Sequence, residues 1–164
     1  MEKLAPVEEA RALFNVAKDW SILKWLTEKK RVRGMADRGT AALDEKEREV
    51  KSRWPEELRT AYAAVVPPAN DDDDPYAASE YEYMQQQAAG IPEELKAIAR
   101  AVREADEIAT EARMRAERTF DEAERKMSAS IARRGATEAI LAYDVRYKAI
   151  EAAMAAIQSG SGVG

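Results

Sequence analysis

Apolar positions along this chain recur every three or four residues almost from the start. Leu13, Val16, Ala17, Trp20, Leu23 and Leu26 share one face, widened by Phe14, Ile22 and Trp25. That spacing predicts an amphipathic helix. Pro6 suits its first turn, where a missing N–H costs nothing, and Glu8 and Glu9 favour the positive end of its dipole. Lys29, Lys30, Arg31 and Arg33 suit the last turn, and Gly34 supplies a stop. After a connection over 34–39, Thr40 reads as an N-cap. A second helix follows through Ala41, Leu43, Val50 and Trp54, with a kink or tight break at Trp54–Pro55. Leu58, Tyr62, Val65 and Val66 carry the pattern onward.

The pattern then stops. Two prolines, four consecutive aspartates and a third proline within 67–75 cannot continue a helix, so this segment reads as an acidic linker. Residues 1–66 form one helical region and residues 76–158 a second, with 159–164 a Gly/Ser tail expected to be flexible. A short helix over 76–89 ends at Gly90. Pro92 opens the longest element. Leu95, Ile98, Val102, Ala105, Ala109, Ala112, Ala116, Phe120, Ala123, Met127 and Ile131 form its stripe. Opposite charges four apart, such as Arg103–Glu107, Arg113–Glu117, Arg118–Glu122 and Asp121–Arg125, lace its other faces.

Gly135 decides how this element ends. With Thr137 as the next N-cap, Arg134-Gly135-Ala136 is a tight turn and the chain folds back on itself. As a tolerated glycine it leaves one helix from 92 to 158, a rod on the order of 100 Å. The capping pair favours the turn. Beyond it Ala136, Ile140, Tyr143, Tyr147, Ile150, Met154 and Ile157 resume the seam. The fold expected is all-α: a helical bundle or hairpin with a long, charged, alanine-rich, coiled-coil-like helix from about residue 92 and a break or kink near Gly135.

Composition sharpens this picture. Of 164 residues, 46% are hydrophobic but only 7% aromatic, so the expected core is thin and depends on helix–helix seams. Cysteine and histidine are both absent. That excludes disulfides, zinc sites built on these residues, Ser-His-Asp triads and any histidine base. No nucleotide-binding or nucleophile motif replaces them. Asp71, Asp73, Ser79 and Glu82 fall at calcium-loop spacing, but Pro75 and Tyr76 occupy positions that need an oxygen ligand and a glycine. The expectation is therefore a non-enzyme without cofactor, metal or small-molecule substrate.

The net charge of −5 is unevenly spread: residues 1–33 carry eight cationic and five anionic side chains, residues 67–91 six anionic and none cationic. The first residues lack a signal peptide's apolar segment, and no apolar run approaches the length of a bilayer span, so a cytoplasmic location is expected.

These features favour an interaction or assembly protein that binds itself or another helical protein through alanine-rich seams. The residues expected to carry the contacts are Leu95, Ile98, Val102, Phe120, Met127 and Ile131 in one seam and Ile140, Tyr143, Tyr147, Ile150 and Met154 in the other. Trp20 and Trp25, with Lys29, Lys30, Arg31 and Arg33, form an amphipathic cationic stretch suited to partner docking or, less well, to a membrane surface. The alternative is a regulator touching nucleic acid through that basic end. Asp44, Glu45, Glu47 and Glu49 on the following helix disfavour it by repelling phosphate.

Overall fold

The computed structural model describes residues 1–65 and 76–162. The whole linker expected over 67–75, with Asp71 and Asp73 of the calcium-like spacing, lies outside the described residues. Every element among those described is helical: α1 (Ala5–Ala17), α2 (Ile22–Ser52), α3 (Glu56–Val65), α4 (Ala77–Ala88), α5 (Glu93–Lys126) and α6 (Ala129–Gly162).

The first break comes earlier than expected. Residues 5–33 are not one helix: α1 ends at Ala17, and Ser21 starts α2 by accepting the Lys24 N–H on its hydroxyl at 3.2 Å. A side-chain acceptor for a free first-turn N–H makes a new helix start here. Trp20 folds back toward Trp25, with ring centroids 6.3 Å apart. The expected stop at Gly34 and N-cap at Thr40 do not occur, because α2 runs through both for 31 residues. Gly39 has a different use. A Cβ there would lie 3.4 Å from Pro6 O and Val7 Cα and 3.3 Å from the Tyr143 hydroxyl, so its absence lets the start of α1 cross α2 closely. The break at Trp54–Pro55 is present. Trp54 is buried at that corner, and its indole N–H donates to Ala153 O at 2.8 Å, pinning the corner to α6.

The hairpin turn is also displaced from its expected place. The chain reverses at Met127–Ser128, not at Arg134-Gly135-Ala136. Met127 adopts the left-handed conformation (φ 52°, ψ 45°). Its N–H and that of Ser128 close onto carbonyls of the last α5 turn, and the Ser128 hydroxyl accepts the Ile131 N–H at 3.2 Å. One residue thus caps each helix. Gly135 lies inside α6, where a Cβ would sit 2.7 Å from Phe120 Cδ1. It is a packing glycine: only hydrogen fits beneath that ring.

With 34 residues each, α5 and α6 are arms of about 50 Å. The backbone of α6 stays helical through 159–162, where a flexible tail was expected. Contacts from residue 36 with 143 to residue 54 with 153 make α6 run parallel to α2. Both are antiparallel to α5 and to α1, whose Arg11 meets Asp144 while Leu4 meets Tyr147. α6 is the central helix, packed by α1, α2 and α5, while α3 lies on α5 and α4 on α3. The core is built largely from alanine: Ala99, Ala123 and Ala136 are fully buried, and larger side chains such as Leu43, Leu58, Leu95 and Ile150 fill the gaps. Among the described residues no helix is long and apolar enough to cross a membrane.

Candidate functional site

Close packing of α6 against both α2 and α5 leaves those two outer helices bridged by long side chains, not by close backbone approach. Between them lies a cleft of about 440 Å³. Its origin is the alanine seam. Ala109 and Ala116 of α5 and Ala139 and Ala142 of α6 line it, and at each of them a larger side chain would have filled the space. Val32, Ala36 and Leu43 of α2 supply the facing apolar wall.

Phe14, Trp25, Phe120 and Tyr143 line the cleft, from four different helices. They belong to a continuous row. Trp25 stacks on Phe120 at 4.8 Å, Phe120 on Phe14 at 5.7 Å, and Phe14 meets Tyr143 at 6.3 Å. Offset aromatic pairs of this kind each contribute about 0.5–1.5 kcal/mol beyond area burial. The Tyr143 hydroxyl donates to Ala36 O at 3.3 Å. Burial, then the nearby Asp37 charge and Tyr147, push its phenol up to about 12, so it is neutral at ordinary pH.

Ion pairs bridge α2 and α5 at both ends of the cleft. At one end Lys29 bonds Glu124, and Arg33 reaches Asp121 at 3.7 Å and Glu124 at 3.5 Å. The Lys29 hydrogen bond holds the Glu124 carboxyl below its ordinary range. At the other end Lys51 reaches Asp106 at 2.9 Å and Glu47 at 2.6 Å, and Tyr62 donates to Asp106 at 2.6 Å. Burial opposes the Lys51 charge, but hydrogen bonds to Asp106, Glu47 and Tyr62 outweigh it and raise its pKa. Burial likewise works to raise the Glu47 carboxyl, and Lys51 with Arg146 outweighs it and lowers it. Arg146 bonds both Glu47 and Asp44, the latter at 2.8 Å. Held charged in this way, Lys51 ties α2 to α5. Among the described residues no group of three or more acidic side chains converges to hold a metal ion.

The seam residues expected to meet a partner are largely used within the chain. Leu95, Val102, Tyr143, Tyr147 and Ile150 are buried, and Ile98, Phe120, Ile131, Ile140 and Met154 pack against the core. Met127 is exposed at the turn. Trp25 is buried and Trp20 half-buried. The basic stretch falls in the middle of α2, not at a helix end. Lys29 and Arg33 face α5 carboxylates and Arg31 pairs with Glu28, while Lys30 is exposed. The structure therefore gathers Trp25, Lys29, Arg33, Phe120 and Tyr143 at one cleft. Phe14, Ala36, Asp37 and Arg113 of the same cleft had no signal as a group, because four separate helices contribute its walls. No protein family, curated protein or solved structure matches this chain.

Proposed function

We propose that this is a binding protein whose working site is the α2–α5 cleft, taking one small apolar molecule. The observation that carries this reading is the unfilled volume itself. About 440 Å³ is within the range of small-molecule pockets, which are mostly apolar with a few polar groups at fixed places. A helical partner fits less well. A helix is about 10–12 Å across with its side chains, and the seams that would have met one are occupied by the chain's own helices. Binding, without a chemical step, suits a site whose lining charges, Asp37 apart, sit in mutual ion pairs. The clasps at either end keep α2 and α5 apart without closing the space between them.

The test uses N-phenyl-1-naphthylamine, a neutral dye that fluoresces in apolar surroundings. Saturable binding with one site per chain is expected. Ala36→Leu and Thr40→Leu add bulk from the α2 wall, where both side chains are half-buried. Each is expected to weaken dye binding about tenfold while helix content by circular dichroism stays unchanged. A wild-type chain that fails to bind the dye, or variants that bind it as well as wild type, would overturn the reading.

A further inference from the structure

The charges around the cleft are unequally matched. Lys29 and Arg33 are held by Glu124 and Asp121, and Arg113 lies 3.9 Å from Glu117. Arg146 divides one guanidinium between Asp44 and Glu47. Among the described residues, Asp37 is the one lining carboxylate with no ion pair. It lines the cleft from α2, where it is exposed, one residue after Ala36, whose carbonyl holds the Tyr143 hydroxyl. No cation on these walls is left free for an anionic ligand, whereas one carboxylate is free for a cationic one.

We propose that the molecule taken by the cleft is an apolar monocation, with its charge against the Asp37 carboxylate and its body on the alanine and aromatic surface. This rests on the cleft being a small-molecule site. After burial, the Asp37 charge helps to raise the phenol of Tyr143, another lining residue of the cleft. A bound apolar body displaces water from the mouth and strengthens that interaction. Long-chain amines and quaternary ammonium compounds have the required chemistry; fatty acids and alkyl sulfates have the opposite charge.

Displacement of N-phenyl-1-naphthylamine by three ligands with the same tail tests this: decyltrimethylammonium, decanol and decyl sulfate, each below its micelle concentration. The cation is expected to displace the dye at about one-fifth to one-tenth of the concentration needed for the sulfate, a difference of roughly 1 kcal/mol. Asp37→Asn is expected to abolish that preference and leave decanol unchanged. Asp19→Asn removes an exposed charge outside the cleft and is expected to keep it, which separates the site from the net charge of the chain. Equal displacement by cation and sulfate, or a preference that survives Asp37→Asn, overturns the charge assignment while binding of dye and decanol leaves the cleft standing. If the dye itself does not bind, the cleft reading fails and the charge assignment fails with it.

Discussion

Two single residues control the aromatic row. Gly135 has no room for a methyl group, since its Cβ would lie 2.7 Å from Phe120 Cδ1 and Phe120 is fixed between Trp25 and Phe14. Alanine gains about 1 kcal/mol of helix propensity over glycine, but overpacking costs about 1–3 kcal/mol. Gly135→Ala is therefore expected to lose up to about 2 kcal/mol in urea unfolding, and adding Phe120→Leu to recover part of it. Tyr143 gives a pH signature. Its folded value of about 12 lies above the ordinary 10, so the folded chain keeps this proton where the unfolded chain releases it. Its contribution is complete below pH 10 and is lost as pH rises from 10 through 12. Between pH 9 and 11 the stability of wild type should fall by about 1 kcal/mol more than that of Tyr143→Phe. The sequence marks both residues but not their roles. Gly135 reads as a stop because nothing local indicates the Phe120 ring above it.

Among the elements, the α5–α6 turn is the place where local pattern and structure differ most usefully. Arg134-Gly135-Ala136 has the better turn chemistry, yet the chain reverses at Met127–Ser128. Reversing there lets Ala123, Ala132 and Ala136 interleave and brings Phe120 over Gly135. Reversal at residue 135 would have removed that glycine from the seam. The cost is one non-glycine residue in the left-handed conformation, about 1–2 kcal/mol in general. Met127 is 53% exposed and contributes little packing, so Met127→Gly is expected to raise stability by about 1 kcal/mol, read as a higher midpoint of thermal unfolding. The ion pairs expected along α5 form only in part. Arg103–Glu107 and Arg113–Glu117 form, while Arg118 turns to Glu111 and Asp121 to Arg33 of α2. Helix periodicity shows that such charges are exposed; for Asp121 it is the neighbouring helix that supplies the partner, while Arg118 finds another carboxylate on α5 itself.

At the scale of the whole molecule, the arrangement depends on α6 being the central helix. Alanine at its buried positions allows α1, α2 and α5 to approach it, and the same small side chains leave the α2–α5 cleft unfilled. Seam and cleft are thus two consequences of one composition. The sequence by itself determined that the chain is helical, that breaks fall at Pro55 and before Pro92, and that a long charged arm begins there, because capping, proline geometry and 3.6-residue periodicity act within a few residues. Only the tertiary structure decided that α2 passes Gly34 and Gly39, that the chain reverses at Met127, and that the alanine seam is closed on one side and open on the other. Those outcomes depend on which helix lies across from which, and a small side chain records only that space is available, not what fills it.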